Sequence, residues 1–249
     1  MIFLNFYILP FFKRNIFIIE NARLIVELSQ VKVGIKGLDN LLQGGFISGS
    51  TVILSGPVGT LKSHIGFQFI YRGLENGEKC FCLSTNQDLE ILSLQLKLNY
   101  DWDLKRYVNT GMLDFFYYSP AGVQTYELTE LARADVITEV IYRVSSNVSR
   151  VLINTLSQLF TIVSDEHLVL NLIYRLKTQT RKIGAIALFV VDSGVQSKSV
   201  EENVKSMVDY VLETREHEDV VEIRLAKSLT KHDLKWHKVY LLNNGVHVE

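Results

Sequence analysis

Gly56-Pro57-Val58-Gly59-Thr60-Leu61-Lys62-Ser63 follows a β-branched run, Thr51-Val-Ile-Leu-Ser55, and precedes a helical one, Ser63-His-Ile-Gly-Phe-Gln-Phe-Ile-Tyr-Arg-Gly-Leu74. The octet matches the phosphate-loop pattern G-x-x-x-x-G-K-[ST] at Gly56, Lys62 and Ser63 and departs from it at Leu61. In that pattern glycines let backbone N–H groups wrap phosphates, the lysine reaches the outer phosphate oxygens and the hydroxyl ligates Mg²⁺. A side chain at position 61 is expected to crowd the phosphate or to strain the loop. Apolar spacing at Ile65, Phe69, Ile70 and Leu74, closed by Glu75-Asn76-Gly77, gives the helix the motif requires.

Outward from the loop, Lys79–Ser84 reads as a second strand and Gln87–Leu98 as an amphipathic helix. Tyr100–Gln124 reads as irregular and aromatic-rich. Helical spacing returns at Leu131, Ala134, Ile137, Ile141, Val144 and Val148. Arg150–Asn154 and Ile186–Val191 are buried-strand runs, and a helix is expected from Ser164 through Arg181, ending at Gly184. Helices alternating with strands apolar on both faces predict an α/β fold with a mainly parallel sheet covered on both sides. Tyr210–Arg215, Val220–Ala226 and Lys238–Leu242 read as C-terminal strands joined by turns, antiparallel in character.

The chain has 249 residues, 47% of them apolar and 21% charged, enough for one large domain. A net charge of −1 gives no global attraction to nucleic acid or anionic membrane. Cys80 and Cys82, two apart on one strand, share a face and cannot form an ordinary disulfide; they read as buried small hydrophobes in a reducing, cytoplasmic compartment. Residues 1–30 form an apolar extension before the domain at 31–249. The Lys13-Arg14 pair interrupts its apolar run and opposes a membrane span. Three readings stay open for it: a packing segment, an interfacial or partner-binding stripe, or a misplaced start.

Gly34-Ile-Lys-Gly-Leu-Asp39-Asn-Leu-Leu-Gln-Gly-Gly-Phe-Ile-Ser-Gly-Ser50, leading into the loop, resembles the signature of KaiC-like ATPases and archaeal RadA paralogues of the RecA superfamily. The similarity continues through Gln68–Gly77, Met207–Val211 and Thr230-Lys-His-Asp-Leu-Lys-Trp-His237, and covers about 31–249. The resemblance implies a RecA-like P-loop fold, ATP and Mg²⁺ as cofactors, with Ser63 on the metal, and an oligomer.

Against that family several positions differ. The strand that normally ends in an Mg²⁺-supporting aspartate ends here in Asn154, and the strand expected to end in water-activating glutamates supplies Asn86 and Gln87. A Lys-x-Arg that reaches a neighbour's γ-phosphate would fall on Ala226 and Ser228, with Lys227 out of register. An amide keeps hydrogen bonding but cannot take a proton, and loss of a general base costs about 10²–10⁴-fold in rate. No catalytic residue is therefore expected, and nucleotide is expected to bind weakly or not at all. Asp192, after the run Leu188–Val191, is a possible replacement Mg²⁺ ligand, with a solvated turn residue the favoured reading.

Residues 224–238 hold five cations against one acid, a balance of +4, whereas 201–222 hold eight acids against two cations, a balance of −6. Lys227, Lys231, His232, Lys235, Trp236 and Lys238 are read as an edge for single-stranded DNA, as an edge facing a partner subunit, or as a solvated hairpin. The combined expectation is a catalytically degenerate RecA/KaiC-like regulatory or structural subunit. Its place by resemblance is recombination and repair, in a homo-oligomer or with a RecA-family ATPase. The alternatives are an active ATPase with a rebuilt site and a nucleotide sensor without turnover.

Overall fold

The computed structural model describes residues 16–17, 26–27, 29–118, 130–144, 147–163 and 165–249. The apolar run from Met1 to Phe12, the Lys13-Arg14 pair and Ser164 lie outside them. In chain order the elements are β1 (Ile16–Phe17), β2 (Val26–Glu27), β3 (Gln30–Val31), α1 (Leu38–Leu41), β4 (Phe46–Ile47), β5 (Thr51–Gly56) and α2 (Lys62–Glu75). Then come β6 (Cys80–Ser84), α3 (Leu89–Tyr100), α4 (Leu104–Asn109), β7 (Leu113–Tyr117), α5 (Glu130–Arg143), β8 (Arg150–Asn154), α6 (Leu156–Val163) and α7 (Glu166–Ile183). The last are β9 (Ile186–Asp192), α8 (Lys198–Met207), β10 (Tyr210–His217), β11 (Val220–Lys227), β12 (His237–Leu242) and β13 (Gly245–Val248).

Nine strands form one sheet in the order β13-β12-β11-β10-β5-β9-β8-β6-β7. From β10 through β7 neighbours are parallel, and β10 to β13 are antiparallel. The inner parallel strands β5, β6, β8 and β9 are buried along nearly their whole length, which explains their continuous apolar runs. Two cores flank the sheet: α2, α3 and the signature loop cover one face, and α5 to α8 cover the other. Burial pushes the Cys80 thiol up to about 12 and raises Cys82 as well, as expected of neutral core side chains.

Several expectations are corrected. The stretch after Tyr100 is not irregular: Asp103 caps α4 by accepting from the Arg106 N–H at 3.1 Å, and β7 pairs in parallel with β6. Residues 119–124 lie outside the described set. The helix expected to reach Val148 ends at Arg143; Val144 and Val148 are buried from outside it, so core packing rather than helix supplies their spacing. The side chains of Leu131 and Ala134 also lie outside the description. α6 and α8 are additions to the expected order, and Asp165 caps α7. The Asn243-Asn244 turn opens a further strand, β13.

The signature segment works as a clasp. Asp39 accepts from the Val33 and Gly34 N–H groups at 2.6 and 3.1 Å, while burial raises its pKa. Gly37 has φ +87°, and a Cβ there would sit 1.8 Å from the Val248 carbonyl oxygen, so the residue must be glycine. Gln68 of α2 reaches the same place, accepting from the Val246 N–H and donating to the Gly34 and Val246 carbonyls.

Arg150, 1% exposed, ties β8 to its surroundings. It makes two bonds to Glu78 at 2.7 and 2.8 Å, donates to the Phe69 carbonyl at 2.8 Å and lies 4.7 Å from the Phe69 ring centroid. Removing one member of such a buried network leaves the other polar groups unanswered. Arg150→Ala is expected to cost roughly 3 kcal/mol in urea unfolding; an unchanged midpoint would show that the network contributes nothing.

Candidate functional site

β5 lies between β10 and β9, and its C-terminal end opens into residues 57–61. Crevices beyond the carboxyl ends of parallel strands are where α/β sheets bind ligands. Gly56 packs against β10 so closely that a Cβ would meet the Thr214 hydroxyl at 2.1 Å. Thr60 fixes the other side of the loop, its hydroxyl 2.6 Å from that of Thr214 and 2.8 Å from the Pro57 carbonyl, to which it donates. Val58 is exposed at the loop tip, and Gly59 has φ +90°.

Leu61 takes the left-handed conformation, φ 62° and ψ 11°, as the N-cap of α2. That conformation costs a non-glycine residue about 1–2 kcal/mol. Its side chain, partly buried, packs against the first core. Of the two expected consequences of a leucine here, the backbone strain is present while the loop keeps its course into α2. The first N–H groups of α2 have no intrahelical acceptors and carry the positive end of the helix dipole.

Lys62 is only 4% exposed. Its ammonium donates to the Pro57 carbonyl at 2.5 Å and pairs with Asp192 Oδ1 at 3.0 Å. Burial lowers its pKa, and the Asp192 carboxylate opposes that shift. Asp192 is therefore not a solvated turn residue: it faces Gly56 across the β5–β9 pairing, with its side chain 20% exposed and engaged by Lys62.

Ser63, Asn154 and Asn86 come together. The Ser63 hydroxyl donates to Asn154 Oδ1 at 3.0 Å, and Asn154 Nδ2 donates to Asn86 Oδ1 at 3.4 Å. Asn154 is fully buried at the end of β8, and Asn86 is exposed just past β6. Gln87 is held elsewhere, donating to Gln95 of α3 at 2.9 Å. His64, next to Ser63, places Nδ1 2.7 Å from the Tyr100 hydroxyl at the end of α3. Nothing in the sequence spacing marks that pair, because its partners sit on different helices. Thr214 escapes sequence reading for the same reason: its role depends on β10 lying beside β5.

The basic edge is only partly a free surface. Lys227 donates to the Lys205, Ser206 and Val208 carbonyls at 3.2, 3.0 and 2.7 Å, closing the end of α8. The Arg215 and Arg224 guanidiniums lie 4.1 and 4.6 Å from the Trp236 ring centroid. Glu213 pairs with Lys205 and Arg224, and Glu222 with Arg215, so the acidic stretch answers part of this charge. Lys231, His232, Lys235 and Lys238 remain exposed. Residues 226–228 lie two strands across from β5, because Lys227 aligns with Val211 and Val211 with Ile53, level with the middle of β5 rather than with the loop. Among the described residues no group of three or more His, Cys, Asp or Glu side chains could hold a metal ion by itself, and no helix is long and apolar enough to cross a membrane.

Comparison with known proteins adds the following. The family described as "ATPase: KaiC" matches residues 31–249. A UPF0273 protein of Pyrococcus furiosus is 27% identical over 242 residues, spanning 87% of this chain and 92% of that one. The circadian clock oscillator protein KaiC of Acaryochloris marina is 25% identical over 174 residues, 70% of this chain and 33% of that one. The crystal structure of a KaiC-like protein from Pyrococcus horikoshii superposes with a TM-score of 0.72 at 22% identity, covering 89% of this chain and 99% of that one, a likeness of fold.

Burial lowers the His64 pKa below its ordinary 6.5. The folded state therefore holds the ring neutral, and the unfolded state binds the proton first as pH falls. Stability is whole above pH 6.5 and declines as pH drops toward the folded value. Urea midpoints are expected to fall between about pH 7.5 and 5.5, less steeply in His64→Gln. Equal slopes in the two proteins would remove His64 from this account.

Proposed function

The chain belongs to the KaiC family of ATPase domains, and on that premise we propose that it binds nucleoside triphosphate with Mg²⁺ at residues 56–63 and turns it over feebly, as a regulatory or structural subunit. The observation that carries this reading is the row Ser63–Asn154–Asn86, bonded at 3.0 and 3.4 Å. Amides occupy the strand ends at which hydrolysis calls for carboxylates. Neither amide can accept a proton from water, a loss of about 10²–10⁴-fold for a missing general base.

Binding asks less of the site. The α2 N–H groups and the Lys62 ammonium suit phosphate oxygens. Mg²⁺ prefers oxygen ligands and takes only one or two from protein when phosphates supply others. The Ser63 hydroxyl donates its hydrogen to Asn154 and so keeps its lone pairs, and the Asn154 amide oxygen lies beside it, two oxygen donors of the kind Mg²⁺ takes; the Asp192 carboxylate, held on Lys62, is the acid nearest the loop lysine. When bound, the metal neutralises phosphate charge. Lys62 would orient the outer phosphate, and Thr60 with Thr214 would keep the loop from opening.

The assembly this implies is either a homo-oligomer or a hetero-oligomer with a catalytically complete RecA-family ATPase. Recombination and repair, with a RadA-paralogue type of modulation, is the setting that the resemblance supports. Exposed Lys231, His232, Lys235 and Lys238 suit a subunit contact. The Trp236 ring already receives two guanidiniums, which favours protein over single-stranded DNA at this edge.

A second reading, a working ATPase rebuilt on Lys62, Ser63 and Asp192, has one observation in its favour: the 3.0 Å Lys62–Asp192 pair brings a carboxylate to the loop. Titration with Mg-ATP and steady-state phosphate release separate the two. Wild type is expected to bind, Lys62→Ala to bind at least about tenfold more weakly, and phosphate release to stay close to background in both. Brisk release by wild type that disappears in Lys62→Ala would establish the second reading instead.

A further inference from the structure

Asp192 is held in place more firmly than an incidental neighbour of the loop. Its N–H donates to the Ser157 hydroxyl at 2.8 Å, and the next N–H, of Ser193, donates to the Gly56 carbonyl at 2.9 Å. The first bond ties the end of β9 to α6 and the second ties it to the end of β5, and the carboxylate is left on the Lys62 ammonium. The lysine is 4% exposed, so its charge is answered inside the site and not by solvent. One strand further over, Asn154 brings no charge. The acid at this end of the sheet stands on β9, the strand beside the loop, and not on β8.

We propose that Asp192 makes nucleotide binding at this loop conditional on a divalent cation, an inference that rests on the loop's being a nucleotide site. A phosphate chain arriving without metal meets a lysine whose charge is already cancelled. It must share the ammonium with a carboxylate of its own sign or drive that carboxylate away, and like charges at contact distance in a partly buried site repel strongly. A divalent cation removes both difficulties. It would cancel phosphate charge and would give the displaced carboxylate a hard cation as an alternative to the Lys62 ammonium. A carboxylate on Lys62 thus sets the form in which nucleotide is admitted as well as how tightly it is held.

The test is calorimetric titration of ATP into wild type and Asp192→Asn, each with excess Mg²⁺ and with EDTA, after circular dichroism shows both folded. Wild type is expected to bind at least about tenfold more tightly with Mg²⁺ than with EDTA. In Asp192→Asn the affinity in EDTA is expected to rise at least about tenfold, closing most of that gap, whereas Asp192→Glu should keep the wild-type dependence. Asn-variant binding in EDTA no tighter than wild type overturns the inference. So does wild-type binding that is the same in both buffers, a result that needs no variant and leaves the nucleotide-site reading standing. No binding by any of the proteins under either condition overturns both.

Discussion

A positive charge buried at the start of α2 has to be answered from inside the protein, and much of the site follows from how that is done. Lys62 is held by a carboxylate from β9 and by the carbonyl of Pro57 across its own loop. The carboxylate can be there only because β9 is the immediate neighbour of β5, and β9 is placed by the strand order of the whole parallel sheet. On the other side β10 supplies Thr214, which leaves no room for a side chain at Gly56 and anchors Thr60. The loop is thus shaped by its two flanking strands as much as by its own glycines. This explains how Leu61 is tolerated: two fixed ends impose the left-handed backbone, and the leucine recovers part of the strain energy by packing on the core.

Most of the parallel sheet is legible in the sequence because doubly buried strands write themselves as unbroken apolar runs, as in Val151–Ile153 and Ile186–Val191. The loop motif and the amides at Asn154 and Asn86 are legible too, since each sits at the end of such a run. What escapes is whatever depends on strand order or on one polar contact between distant elements. Asp192 reads as a turn residue until β9 is laid beside β5. Lys227 reads as a free cation until its ammonium is found on three carbonyls at the end of α8. Trp236 reads as an open stacking face until two arginines from β10 and β11 are seen against it.

The antiparallel extension shows how local charge counts mislead. A strongly acidic stretch followed by a basic one looks like two opposed surfaces, yet much of both is spent internally. Asp209, buried, accepts from the Thr51 N–H and hydroxyl and pairs with Lys177 and Arg181; burial pushes its pKa up, but the Thr51 bonds and the Lys177 ammonium outweigh it and hold the carboxyl below its ordinary range. Glu213 and Glu222 are crossed with Arg224 and Arg215 over one face of the β10–β11 ribbon, the cross-strand pairing that stabilises such ribbons. What is left for an outside partner is a few cations in the loop before β12 and at Lys238, with exposed acids around the β10–β11 turn, not a continuous field.

The clasp between the signature segment and β13 has a kinetic consequence. The Val248 N–H donates to the Lys36 carbonyl at 2.9 Å, so the outermost strand of the antiparallel extension is secured by residues that precede the first strand of the parallel core. Nearly the whole domain is enclosed in that loop, and its closure entropy must be met before the contact returns any stabilisation. The closure on this side of the molecule is therefore a long-distance one. A chain caught before it would present an unsealed sheet border, the place where pairing between molecules begins.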